Sequence, residues 1–78
     1  MGNKAFNQEA AIAELNKTLK NEVTLETIKE VFAYLKAVRD IGSINMLLAA
    51  SYLVDEFKFH HRDAIKIFWF WAKNINNF

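Results

Sequence analysis

Apolar positions recur three or four residues apart through most of the chain, which is the spacing of amphipathic helices. The clearest case is "TLETIKEVFAYLKAVRDIG", where one broad apolar face is set against Glu, Lys and Arg. Thr24 is a favourable N-cap residue there, and Val23 and Ile28 are spaced as a hydrophobic staple. Gly42 stands where a left-handed glycine commonly ends a helix. The pattern predicts a helix between Thr24 and Gly42.

Two further helices are predicted before and after this one. The first runs from Asn7 to Lys20 and has only a narrow apolar stripe. The other starts after Ser43, which can cap it, and continues through "INMLLAASYLVDEF" to Phe57. A helix that is apolar nearly all round is normally buried, so we expect this third helix to be the central one.

The last predicted helix begins near His60 or His61 and ends at about Asn74, with frayed residues after it. β-branched and aromatic residues would also suit a strand over "IKIFWFW". Alternation fails after Lys66, however, and no partner strand is available. Without proline and with only two glycines, the chain has few breaks. The sequence predicts a single all-α domain over residues 1–78, a compact bundle of about four helices whose last two form a helix-turn-helix-like pair.

Four consecutive aromatic residues, Phe68 to Trp71, distinguish the fourth helix. One helical face, which would cover the central helix, carries Ala64, Phe68, Trp71, Ile75 and Phe78. A second face points about 100° away. Since each aromatic side chain buries roughly 150–250 Å², so short a chain is not expected to cover all of them. We therefore predict an interface on the second face, formed by Ile65, Trp69 and Ala72, together with Phe70, which falls on the other side of the first face.

What covers these aromatic side chains is left open by the sequence. The leading alternative is a second copy of the chain, and another is a foreign protein. A third is that there is no interface, and the fourth helix is a wide core helix with some ring edges exposed. A membrane surface fits less well, because an interfacial helix carries many Lys and Arg on its polar face. The uncharged run of 14 residues from Ile41 to Val54 is too short to span a bilayer.

Composition narrows the function classes. The chain has 78 residues, 53% of them hydrophobic, and a net charge of +1, so it projects no strong field toward nucleic acid or anionic membranes. A core of this size supplies only about 3–5 kcal/mol, so further stability would have to come from dense helix packing or from association. The absence of cysteine excludes disulfides and suits the cytoplasm. We expect no signal peptide at "MGNKAF", because no apolar core of the needed length follows it.

The segment "HHRD", His60 to Asp63, is the one cluster with ligand or catalytic chemistry. Adjacent histidines on a helix point about 100° apart and do not converge on one metal ion. There is neither a glycine-rich phosphate loop nor a pair of carboxylates at catalytic spacing. We expect no metal, no cofactor and no enzymatic activity, and regard these residues as a solvated helix start.

A basic segment offers an alternative function. It consists of Lys58, His60, His61, Arg62 and Lys66. In a helix-turn-helix these residues could meet nucleic-acid phosphates. A recognition helix needs a polar face for base edges, whereas the fourth helix offers Phe and Trp. The segment could equally be an ordinary solvated surface.

A recurring pattern of residues extends over the last two predicted helices. It consists of Asn45, Met46, Ala49, Tyr52, Leu53, Glu56, Phe57, Ala64, Phe68 and Trp71. In this pattern the chain resembles short, uncharacterised proteins of tailed bacteriophages, cyanophages among them. Leu47, Ser51 and Asp63 depart from the pattern, which usually has Gly, Pro and Glu there. The resemblance implies phage origin and a place in the host cytoplasm, and implies no activity.

The leading prediction is a non-enzymatic interaction protein. It would associate with itself, or with a host or phage protein, through the aromatic helix. The alternative is a small nucleic-acid-binding regulator that uses the basic segment.

Overall fold

The computed structural model describes residues 6–42 and 48–78, and in these ranges it contains four α-helices and no strand. They are α1 (Gln8–Asn16), α2 (Leu25–Ile41), α3 (Ala49–Phe57) and α4 (His61–Lys73). All four contribute side chains to one hydrophobic cluster. The all-α prediction is confirmed. The predicted start of the third helix at Ser43 lies outside the described residues.

Helix α2 begins and ends where local sequence chemistry predicts. The Thr24 hydroxyl accepts a 3.1 Å hydrogen bond from the backbone N–H of Thr27, which satisfies one free donor of the first turn. At the other end Gly42 has φ of 75°, a left-handed conformation that costs a glycine little.

The core is centred on α2, and the expectation that the third helix is central is wrong for the part of it that the structure describes. Helix α3 buries only Ala49 and Leu53, because Ser51, Asp55 and Glu56 keep its other side in water. The buried residues of α2 are Ile28, Val31, Phe32, Leu35 and Val38.

Helix α1 ends four residues earlier than predicted, at Asn16 instead of Lys20. The Asn16 side chain accepts from the backbone N–H of Val23 at 2.9 Å and donates to its carbonyl at 3.0 Å. This pair of bonds fixes the return of the chain toward α2. The helical pattern therefore stops where the side-chain amide finds a backbone partner.

Of the residues after α4, Phe78 packs against the core whereas Ile75, Asn76 and Asn77 are exposed, so the predicted fraying is wrong for Phe78. The ring of Phe78 lies 4.7 Å from that of Phe32 and 5.7 Å from that of Phe70, measured between centroids. The Gln8 side chain donates to the carbonyl of Asn77 at 3.1 Å. Burial of the Phe78 ring holds the tail beside α2.

Helices α3 and α4 make the most extensive interhelical contact of the fold and form the helix-turn-helix-like pair. A short connector, Lys58–His60, joins them, and Lys58 adopts a left-handed conformation with φ of 62° at the end of α3. Neither this pair nor α1 or α2 has the length and apolar character needed to cross a bilayer.

Candidate functional site

The two tryptophans of α4 lie in opposite environments. Trp71 is only 5% exposed, and the Arg39 guanidinium of α2 lies 5.9 Å from the centre of its ring. Trp69 is 58% exposed, and Ile65, one turn before it, is 38% exposed. Residues two apart on a helix differ by about 200°, so packing Trp71 inward necessarily turns Trp69 outward. The result is an apolar pair in contact with water.

The four residues of the predicted interface do not share one face. Ile65 and Trp69 are exposed and Ala72 beside them is half-buried. Phe70 is half-buried against other residues, with its ring 6.0 Å from that of Phe32 in an edge-to-face arrangement. The structure thus groups Ile65, Trp69 and Ala72, and places Phe70 on the side toward α2.

Cations lie in the same helical row as Trp69. Arg62, Lys66 and Lys73 precede or follow it by seven, three and four residues, the spacings that place side chains on one side of a helix. The one acidic residue of α4, Asp63, is buried. We refer to Arg62, Ile65, Lys66, Trp69 and Lys73 as the outer face of α4: two apolar side chains bordered by positive charge.

The basic segment is divided between this face and the connector. Arg62 and Lys66 belong to the outer face, although the Lys66 ammonium also donates to the carbonyl of Thr18. His60 caps α4, its Nδ1 accepting a 3.2 Å hydrogen bond from the backbone N–H of Arg62. Lys58 ends α3, and His61 is the exposed first residue of α4. Lys73 was not predicted as part of the basic segment. It follows Lys66 by seven residues, which is two helical turns, and this spacing could have identified it.

Asp63 is not the solvated helix-start residue that the sequence suggested. It is 2% exposed, and its two carboxylate oxygens accept hydrogen bonds from the backbone N–H groups of Lys20 and Asn21 at 2.8 and 2.9 Å. Burial acts to raise the pKa of Asp63, but these two bonds and the charges of His60 and Lys66 lower it below its ordinary value. Asp63 therefore anchors the α1–α2 linker to α4.

Helix α3, next to α4, carries the opposite charge. It contains Asp55 and Glu56, both exposed, and no cation between Ala49 and Phe57. Burial, followed by the nearby Glu56, Tyr52 and Asp55, raises the pKa of the Tyr34 hydroxyl on α2. The two carboxylates thus give α3 a negative edge beside a positive α4.

Within residues 6–42 and 48–78, no three His, Asp or Glu side chains gather as metal ligands. Comparison of the chain with protein-family models, curated proteins and solved structures gave no match. The resemblance to phage proteins stays a prediction from the residues. Of its positions, Asn45 and Met46 lie outside the described ranges, whereas Leu53, Ala64 and Trp71 are buried in the core.

Proposed function

We propose that this protein is a non-enzymatic interaction module that pairs with a second copy of itself through the outer face of α4. The observation that carries the proposal is the 58% exposure of Trp69 beside Ile65, on a helix whose other aromatic side chains are largely covered by their own chain. Exposed tryptophan costs solubility and is typical of the centre of protein interfaces. If the chain is of phage origin, the pairing would occur in the cytoplasm of the host.

The interface must extend beyond these two side chains. A stable interface buries about 800 Å² on each partner, whereas one tryptophan buries at most about 250 Å². Helix α3 is the natural extension, because it packs on α4 and leaves Ser51, Asp55 and Glu56 exposed. We propose that the paired surface combines the outer face of α4 with the exposed residues of α3.

Charge favours a second copy over a foreign partner. The outer face of α4 is cationic and the exposed side of α3 is anionic, so one chain carries both complementary surfaces. In a two-fold dimer each complementary contact occurs twice, which is what a self-complementary interface requires. Such a dimer would set α4 of one copy against α3 of the other, with Trp69 near the centre and opposite charges at the rim.

Solution mass tests this proposal. We expect light scattering across a dilution series to show a dimer that dissociates on dilution for the wild type and a folded monomer for Trp69→Glu. Trp69→Phe, which keeps an apolar ring, is the matched control and should remain dimeric. Circular dichroism reports whether each variant keeps its helices. A wild type that is monomeric at every concentration would overturn the proposal.

A second candidate function rests on the row formed by Arg62, Lys66, Trp69 and Lys73. Proteins that bind single-stranded nucleic acid combine cations with aromatic rings on which bases stack. The net charge of +1 argues against this function. The discriminating test is the affinity for a labelled single-stranded oligonucleotide at increasing salt. It should fall steeply if phosphates are bound, and Trp69→Ala should weaken it more than Ile65→Ala does.

A further inference from the structure

A groove separates α2 from the chain segment that follows α4. Lys29, Ala33 and Lys36 line its α2 wall, and Ile75 and Phe78 line the opposite wall. Its volume is about 430 Å³, within the range of roughly 300–1,000 Å³ that small-molecule sites occupy. We call it the tail groove. It shares no residue with the outer face of α4.

The floor of the tail groove is aromatic and closely packed. Phe32 and Trp71 are buried at its base, and the Phe78 ring lies 4.7 Å from Phe32. The ring of Phe70 also packs edge-to-face against that of Phe78, with a centroid distance of 5.7 Å. Because these rings pack against one another, the apolar floor of the groove is already formed in the absence of a ligand.

The rim carries three cations, Lys29, Lys36 and Arg39, and no acidic side chain lines the groove. The Arg39 guanidinium lies 5.9 Å from the centre of the Trp71 ring, at the border of floor and rim. Asp40 approaches Lys36 at 3.3 Å and Arg39 at 3.9 Å, but its side chain is 57% exposed. The groove itself is lined by three cations and by no carboxylate, which favours an anionic ligand.

We propose that the tail groove binds an amphiphilic organic anion. Its apolar body lies on the rings of Phe32, Trp71 and Phe78, and its carboxylate, sulfate or phosphate head meets Lys36 and Arg39. The planar guanidinium can donate two parallel hydrogen bonds to such a head. A neutral ligand would leave the cationic rim unused, and a bare inorganic anion would leave the aromatic floor unused.

Octanoate and 1-octanol are matched probes, because they share the chain length and differ in the charge of the head. The isotope-labelled full chain is titrated with each and followed by amide chemical shifts. We expect octanoate to shift Ala33, Lys36, Arg39 and the Trp71 indole saturably. Octanol should bind about tenfold more weakly, the ratio expected when charge-assisted hydrogen bonds are lost.

Two variants separate the roles of floor and rim. Ala33 is exposed on α2, so Ala33→Phe fills the groove without entering the core, and it should weaken both probes. Arg39→Gln should weaken octanoate about tenfold and leave octanol unchanged. Lys17→Gln, at an exposed cation just beyond the end of α1, is the control and should change neither.

Three results would overturn the proposal. They are equal affinity for octanoate and octanol, octanoate shifts that are absent or lie elsewhere, and octanoate binding that survives Ala33→Phe. None of them bears on whether Trp69 mediates pairing, because the tail groove is independent of that surface.

Discussion

The carboxylate of Asp63 on α4 accepts a 2.8 Å hydrogen bond from the backbone N–H of Lys20, 43 positions earlier in the chain. Its second oxygen accepts from the next N–H, that of Asn21, at 2.9 Å. A buried carboxylate with two backbone donors joins the α1–α2 linker to α4, one turn before the Lys66 ammonium that donates to the carbonyl of Thr18. Asp63 also fixes the N-terminal end of α4, where the outer face begins at Arg62.

Replacing Asp63 by Asn should destabilise the fold by about 1–3 kcal/mol, since the amide oxygen can accept only one of the two hydrogen bonds and leaves the other, partly buried N–H without a partner. Urea denaturation at one fixed protein concentration measures the change, because association would otherwise add to stability. Glu14→Gln removes an exposed carboxylate paired with Lys17 and should cost less than about 1 kcal/mol. Equal effects of the two substitutions would contradict the anchoring role.

The same anchor predicts an acid-labile component of stability. The pKa of Asp63 in the folded protein lies below its ordinary value of 3.8, so the unfolded chain takes up the proton more readily. The stabilisation is therefore complete above about pH 5 and is lost as the pH falls through the folded-state pKa. Unfolding free energies of the wild type and Asp63→Asn should converge on acidification. A difference that stays constant down to about pH 2 would refute this.

Two isoleucines of α4 provide a matched comparison of core and surface. Ile67 is fully buried, and Ile67→Ala should cost about 2–5 kcal/mol. Ile65 is 38% exposed, and Ile65→Ala should cost less than about 1 kcal/mol in the monomer. Ile65→Ala should nevertheless raise the dissociation constant of the proposed dimer. Similar losses of monomer stability at the two positions would contradict the orientation of α4.

Local chemistry was enough to predict the bounds of α2 and α4. Thr24 and Gly42 act on the turns that they begin and end, and neither needs a distant partner. The end of α1 could not be predicted, because Asn16 is fixed by bonds to Val23, seven residues away. The spacing of apolar residues in α1 does not indicate that the side-chain amide of Asn16 turns toward the α1–α2 linker.

Periodicity predicted that Trp71 packs inward and that Trp69 lies on a second face of α4, in agreement with their exposures of 5% and 58%. It did not predict that the Arg39 guanidinium of α2 would lie over the Trp71 ring. Asp63 read as an ordinary helix-start residue, because its partners lie beyond α1. The tail groove likewise depends on Phe78, whose contact with Phe32 spans more than half of the chain.

The central proposal is that α4 pairs with α3 of a second copy. Exchanging the charges of the two helices tests this pairing most directly. One variant carries Arg62→Glu and Lys73→Glu, and the other carries Asp55→Lys and Glu56→Lys. Each alone would set like charges against each other in the proposed dimer, and should be monomeric at concentrations where we expect the wild type to be dimeric.

The measurement is the mass of an equimolar mixture of the two variants, by light scattering. In a pair formed by one copy of each variant, opposite charges face each other at both contacts. We therefore expect the mixture to have the mass of a dimer. A mixture that stays monomeric, or either variant alone that remains dimeric, would contradict it.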